Sequence, residues 1–449
     1  MTKKKLKTSE KFRFSATQVI ILGFLLLILI GGIVLSLPIS SSSGNFTSLE
    51  DSMFTAVSAT CVTGLTVVSS GDHWSLFGQI VIILLIQIGG LGFMTLAVML
   101  SRFAKRQITP REQLIVAQSL GLSDLGSALK LVRRILFGTL YIELIGAFML
   151  STQFIPKFGI AKGIWYGVFH SISSFCNAGF DLMDGYIGFK DNYIIGITIM
   201  LLIILGGIGF IVWDDIVSFV KTRKKVSVYS KFVITITLFL IVSGAALVAL
   251  FEWNNPNTLA DMSVADKIYH SLFQSVTTRT AGIDFIINSN MTDSAQLICL
   301  FYMLIGGAAG STAGGVKVGS FGVLVLAVWN FAKGSDEIVL SNRRISHETV
   351  VRALTAFSIN LGAGVLGAIL IAAYDEIVLL DALYETISAI STVGLSLSLT
   401  PSLSLFSHIV DMLLMFFGRV GILTITYSLL LKNSHKRSCI SYPEVNIMI

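Results

Sequence analysis

The sequence predicts an all-α polytopic membrane protein: four span, pore half-helix, span repeats, eight transmembrane helices in all, around a pseudo-fourfold central pore. Three observations lead there. First, 54% of the 449 residues are hydrophobic and only 13% charged, with mean hydropathy +0.81, whereas a soluble domain carries about 25% charged residues. Second, long apolar stretches begin near Thr17, Lys130, Lys231 and Val350, each followed by a shorter semi-polar segment and a second apolar stretch. Third, related glycine strings recur once in each of these units.

The same composition excludes a soluble enzyme, a nucleic-acid module and a disordered chain. The net charge of +6 and pI near 9.0 matter less than where the charges fall. Cys61, Cys176, Cys299 and Cys439 form no C-x-x-C and no cluster with histidine, so neither a zinc site nor a disulfide scaffold is indicated.

Residues 1–16 are a basic N-terminal segment containing Lys3, Lys4, Lys5, Lys7, Lys11 and Arg13. Basic residues followed by an apolar run also describe a signal peptide. The run from Thr17 to Leu37 is long enough to span a bilayer, however, and Pro38 to Gly44 offers no convincing cleavage site. A first membrane span is the reading adopted.

The repeats are assigned to residues 17–100, 130–220, 231–331 and 350–431, with a C-terminal segment at 432–449. Their short segments end in Cys61-Val62-Thr63-Gly64, Cys176-Asn177-Ala178-Gly179, Arg279-Thr280-Ala281-Gly282 and Ser391-Thr392-Val393-Gly394. Aligned on the last glycine, the copies start 115, 103 and 112 residues apart. A second landmark follows in each: Gly89-Gly90-Leu91-Gly92, Gly206-Gly207-Ile208-Gly209, Gly306-Gly307, and the degenerate Gly418-Arg419-Val420-Gly421. Two landmarks at near-constant spacing, four times over, mark a true repeat.

The short segments, Leu49 to Cys61, Ile164 to Cys176, Lys267 to Arg279 and Asp381 to Ser391, give about three helical turns, or roughly 16–20 Å. That is half a bilayer. Each is expected to be a re-entrant half-helix, since irregular backbone at membrane depth survives only where protein or water covers it. Two spans per copy put both termini on one side. Of 32 lysines and arginines, 25 fall on that side, which the positive-inside rule makes cytoplasmic. Acids gather opposite, among them Glu50, Asp51, Asp72, Asp181, Asp184, Asp284, Asp293, Asp381 and Glu385. Together they would concentrate cations at an outer vestibule, although any one of them taken singly reads more readily as a solvated loop charge.

Four glycine strands meeting on one axis would form a ring of backbone carbonyls able to replace the hydration shell of a monovalent cation. Glycine accepts the positive φ that turns successive carbonyls one way. The strands are Val62-Thr63-Gly64, Asn177-Ala178-Gly179, Thr280-Ala281-Gly282 and Thr392-Val393-Gly394. They contain no carboxylate ring, which favours potassium over calcium.

The fourfold architecture, with Gly64, Gly179, Gly282 and Gly394 as the filter glycines, resembles the Trk/Ktr/HKT superfamily of cation transporters. The short N-terminus makes it similar to the bacterial Ktr membrane subunits of KtrB or KtrD type, and the likeness covers essentially the whole chain. In that family a serine at the first filter glycine goes with sodium permeation. Glycine at all four positions therefore implies gated, channel-like potassium uptake across a bacterial plasma membrane. The resemblance further implies a homodimer controlled by a cytosolic ring of RCK-type subunits (KtrA or KtrC type) that bind ATP or ADP. No nucleotide-binding segment, cofactor site or nucleic-acid surface is evident in this chain, and no catalytic motif. A rocking transporter would show inverted repeats, whereas these four units share one orientation.

The third copy departs from its siblings at Gly306-Gly307-Ala308-Ala309-Gly310-Ser311-Thr312-Ala313-Gly314-Gly315-Val316-Lys317-Val318-Gly319. Each glycine costs about 1 kcal/mol in a helix, so a flexible plug is expected at 306–319. The family likeness makes it the gate below the filter. Lys317 is expected to anchor it or to snorkel. Arg419, alone in an apolar span, is expected to face the conduction path below the filter and could hold the loop. Arg279 is expected to pair with an outer acid, Glu143 to be a satisfied helix-packing carboxyl rather than a transport site, and His170 and His270 to be structural.

Overall fold

The computed structural model describes residues 16–92 and 125–421, apart from 184, 224 and 336. The expectations placed on residues 1–15, on 93–124, on Asp184 and on the chain after 421 lie outside the described residues. The first copy comprises α1 (Ala16–Ser36), α2 (Leu49–Cys61) and α3 (Leu76–Leu91). The second comprises α4 (Leu125–Phe158), α5 (Ile160–Cys176), α6 (Tyr193–Gly207) and α7 (Phe210–Thr222). The third is α8 (Val228–Glu252), α9 (Val264–Thr277), α10 (Asp293–Leu304) and α11 (Val318–Ala332). A two-stranded hairpin, β1 (Val339–Leu340) and β2 (Arg343–Arg344), leads to α12 (His347–Asp375), α13 (Leu379–Ser391) and α14 (Leu405–Val420) of the fourth.

Helices α1, α4, α8 and α12 are long and apolar enough to cross a bilayer. Leu26, Ile30, Leu144, Phe148, Val242, Leu250 and Leu366 project from them, exposed. So much apolar surface suits lipid rather than water. The chain is a multi-pass membrane protein.

The second helix of each copy is short: α3 has 16 residues, α6 15, α10 12 and α14 16. Their N-termini are capped alike, by Ser75, Asn192, Thr292 and Ser404 accepting backbone N–H bonds. In the second copy the second span is not one continuous helix. The α6 helix bends by 99° into α7, and α3 and α14 end at equivalent glycines. Gly92, Gly209 and Gly421 have φ of +83°, +97° and +88°, each three residues after a landmark glycine. A side chain in the left-handed region costs about 1–2 kcal/mol, so glycine is what lets the helix stop there.

In the first, second and fourth copies the half-helix packs between the long helix and the short one, whereas in the third it packs on the long helix α8. Between copies, α3 meets α5, α6 meets α9, α10 meets α13 and α14 returns to α2. One contact, used four times, closes the ring.

Glu252, at the end of α8, shows how the outer loops are fixed. It is fully buried, and its carboxylate accepts bonds from Asn255 Nδ2 at 2.7 Å, Thr258 Oγ1 at 2.5 Å, and both N and Oγ1 of Thr292 at 2.8 Å. Leaving a buried donor without its acceptor costs about 1–3 kcal/mol. Glu252→Ala should therefore lower the thermal unfolding midpoint in detergent by several degrees, and Glu252→Gln by less.

Candidate functional site

The half-helices α2, α5 and α13 end in one motif. The residue after each helix, Val62, Asn177 or Thr392, is left-handed, with φ of +59°, +59° and +51°. The next N–H reaches back to close the turn: Thr63 to Ser58 O, Ala178 to Ser173 O and Val393 to Ser388 O, each 2.8 Å. These are Schellman closures made without glycine. Below them, a landmark glycine allows close approach. A Cβ on Gly89, Gly206 or Gly418 would lie 1.9 Å from the carbonyl oxygen of Thr60, Phe175 or Ile390 respectively.

The third copy is built differently. Thr278 continues the helical turn, and the left-handed residue is Thr280, with φ +68°. Gly306 meets Gly314 O of its own loop instead of a half-helix carbonyl.

Beyond these turns the chain adopts positive φ again at Gly64 (+99°), Gly179 (+70°), Gly282 (+67°) and Gly394 (+94°). Alternation of left-handed residues along a three-residue strand turns its carbonyls towards one side. The four glycines are mutual neighbours. A Cβ on Gly64 would meet Ala178 O at 2.5 Å, one on Gly179 would meet Ala281 O at 3.1 Å, and one on Gly282 would meet Val393 O at 2.3 Å. One on Gly394 would meet Thr63 O at 2.1 Å, so the circuit closes. Hydroxyls brace it from behind: Ser58 Oγ accepts from Gly64 N at 3.1 Å, and Ser388 Oγ from Gly394 N at 3.0 Å. Thr277 Oγ1 both accepts from Ile283 N and donates to Ile283 O.

A vestibule of about 540 Å³ opens over the ring, lined by all four glycines together with Asp181 and Asp284. Of the other acids expected there, Glu385 is buried behind the fourth strand, bonded to Ser396 and Thr400. Glu50 is bonded to His408.

Residues 305–317 leave helical geometry between α10 and α11, as the glycine content predicts. The stretch folds back on itself through the Gly306 N to Val316 O and Val318 N to Gly307 O bonds, both 2.9 Å. It is also tied to the second copy, by Ala308 N to Gly207 O at 2.8 Å, Phe210 N to Gly310 O at 2.8 Å and Thr312 Oγ1 to Phe175 O at 3.1 Å. Three cationic side chains hold its carbonyls. Arg419 donates to Thr312 O and, in the first copy, to Gly89 O and Gly90 O. Lys317 Nζ donates to Ala313 O at 2.9 Å and Gly314 O at 3.3 Å, folding into the loop rather than out to headgroups. Arg279, expected to pair with an outer acid, is buried and donates to Gly306 O at 3.3 Å. A half-helix C-terminus is a poor place for an acid, and Arg279 meets the Gly306 carbonyl of the loop instead.

Glu143 is buried, accepts from Gln87 Nε2 at 3.2 Å and leaves Oε1 without a partner. His170 is a scaffold residue: Nδ1 donates to Tyr166 O at 2.6 Å, and Nε2 accepts from Leu182 N at 3.1 Å. His270 is buried beside Tyr269 and Phe285. One link escaped the sequence reading. Asn177 Nδ2 lies 3.5 Å from Thr280 Oγ1, and its Oδ1 accepts from Thr312 Oγ1 at 3.4 Å. This side chain bridges two strands of the ring and the loop beneath. A lone polar amide among Val62, Thr280 and Thr392 was the only available signal.

Residues 2–436 match the family model described as "TrkH: Cation transport protein". The chain is 39% identical to the potassium/sodium uptake protein NtpJ of Enterococcus hirae, covering 99% of each. It is 37% identical to the Ktr system potassium uptake protein B of Bacillus subtilis, again covering 99% of each. The Ktr system potassium uptake protein D of the same organism is 33% identical, with 97% of each chain covered. The solved potassium transporter TrkH from Vibrio parahaemolyticus shares the fold, with TM-score 0.74 and 19% identity over 95% of this chain and 86% of that one.

Proposed function

Because the chain belongs to the TrkH family of cation transport proteins, a family of transporters and not of enzymes, we propose that it takes up potassium across the plasma membrane through the glycine ring. What carries this reading is the closed circuit Gly64, Gly179, Gly282 and Gly394, each glycine set against a carbonyl of the next copy. Carbonyls so placed stand in for the hydration shell of a potassium ion. The C-terminal ends of four half-helices add partial negative charge at the same point. Asp181 and Asp284 raise the cation concentration above it.

The filter strands are 62–64, 177–179, 280–282 and 392–394. The stretch 306–319 is the gate, and Arg419, Lys317 and Arg279 latch it in the closed position below the ring. The bent and broken second helices still complete one crossing each, giving eight crossings with both termini cytoplasmic. The protein works as a homodimer under a cytosolic RCK-type ring of KtrA or KtrC type, and ATP or ADP binds to that ring and not to this chain. The two Ktr-system relatives are the support for such a partner.

Expression in a strain deficient in potassium uptake, together with the cytosolic partner genes, should restore growth at low potassium and drive rubidium accumulation. Rubidium uptake no higher than in the empty strain, with the protein present in the membrane, would overturn the proposal.

A further inference from the structure

Asp411, on α14, is fully buried, and neither of its carboxylate oxygens has a hydrogen-bond partner. An ionised carboxylate left so is too costly to persist; it is neutralised instead. Packing does not require an acid at this position. Seven residues before the landmark glycines Gly89, Gly206, Gly306 and Gly418 stand Ile82, Ile199, Cys299 and Asp411. The first three are buried apolar side chains. The fourth copy alone places a carboxyl in a slot its siblings fill with isoleucine or cysteine.

A second buried acid faces it. Glu385, on the half-helix α13 packed against α14, is likewise fully buried. Its carboxylate accepts from Ser396 Oγ at 2.8 Å and from Thr400 Oγ1. Both hydroxyls belong to the segment that leaves Gly394 and lines the vestibule. Asp375, at the end of α12, also acts on Asp411 electrostatically and accepts from Ser404 N at 3.2 Å. From α14 itself comes His408, whose imidazole is already engaged by Glu50 of α2 at 2.6 Å and Thr400 O at 2.9 Å. Among the described residues, no lysine or arginine is ion-paired with Asp411, Glu385 or Asp375. His408 bonds Thr400, which Glu385 also holds, and makes no bond to Asp411, so of the two buried acids Asp411 is the one left without a compensating partner and is the one to stay protonated.

We propose that Asp411 is a proton-binding site beside the fourth strand of the ring, protonated at neutral pH so that Glu385 remains ionised and holds Ser396 and Thr400. Loss of the proton in alkali sets Asp411 against Glu385, the anchor behind Gly394 gives way, and ion flux falls. The link to flux rests on the reading of the ring as the ion path; the proton site itself does not.

The test uses the full chain with its cytosolic partner, as wild type, Asp411→Asn and Asp411→Ile, the last being the residue two siblings carry. Wild type should show a protonated-carboxyl stretching band in infrared spectra at pH 7. That band should vanish in alkali and be missing from both variants. Wild-type rubidium flux should fall by up to about tenfold per pH unit above the titration point, as one required proton dictates, whereas Asp411→Asn should stay flat. Absence of the band in wild type would overturn the proposal. So would an alkaline fall retained in both variants, or flux that depends on sodium at fixed pH only when Asp411 is present, since that would assign the slot to a metal cation. If no protein moves rubidium but the Asp411 band is there, the proton site stands and the filter reading falls.

Discussion

Gly64→Ser should let sodium compete with rubidium for uptake, with the largest change in selectivity of any single substitution in the chain. At φ +99° the new Cβ would lie 2.5 Å from Ala178 O and 2.9 Å from Gly179 Cα. The left-handed strain alone is about 1–2 kcal/mol. The obstructing atoms are backbone of the neighbouring strand, which cannot swing aside as a flexible side chain would. The circuit must open between the first and second copies, and the carbonyl there moves off its position. A preference of about 1.4 kcal/mol is a factor of ten in binding, so losing one of four such ligands should erase roughly tenfold or more of the discrimination. Rubidium uptake measured with and without sodium reads this directly. Gly44→Ser is the control: Gly44 also has positive φ, at +70°, but no atom within 4 Å of its built Cβ. Equal sodium sensitivity in wild type and Gly64→Ser, with normal amounts of protein, would show that the ring does not select.

Deleting Ala308–Thr312 should raise rubidium flux, and Arg419→Ala should raise it by a smaller factor. The deletion removes Thr312, where Arg419 and the Phe175 carbonyl both hold the loop, and also the Ala308 and Gly310 bonds to the second copy. Arg419→Ala leaves the Phe175, Ala308 and Gly310 bonds and removes only the guanidinium, which ties Thr312 O of the loop to Gly89 O and Gly90 O of the first copy. Hydrogen bonds to charged groups contribute about 1.5–3 kcal/mol each. Net loss of the equivalent of one such bond shifts a closed-to-open equilibrium by roughly ten- to a hundredfold, since about 1.4 kcal/mol is a factor of ten. Single-channel or vesicle flux measurements on both variants check the order of the effects. A deletion that lowers flux while the protein stays folded would make 308–312 a structural support instead of a gate.

Much of this was legible in the sequence because it depends on local properties. Helix length against bilayer thickness separates α1, α4, α8 and α12 from the half-helices α2, α5, α9 and α13, and both quantities can be counted along the chain. The four ring glycines and the third copy's loop stand out because repetition supplies its own control. Half-helix ends were placed within a few residues: α2 spans the expected Leu49–Cys61, and α5 begins one turn early, at Ile160.

What tertiary structure decided lies at long sequence separation. Arg419 meets carbonyls 330, 329 and 107 residues away, and nothing local in Phe417-Gly418-Arg419 says which. Arg279 could have paired with an acid or a carbonyl; the half-helix terminus beside it decided for the carbonyl. The break at Gly209 and the helix ends at Gly92 and Gly421 were hidden because an apolar run reads as one helix until its φ angles are seen. Nothing in the sequence set Asp411 apart from the other acids, and only its burial, with both oxygens unpartnered, singles it out. Sequence determined the repeat, the span lengths and the glycines, since those follow from each residue's own size and polarity. Structure decided what each buried charge faces, since electrostatic energy at low dielectric depends on distances that only packing sets.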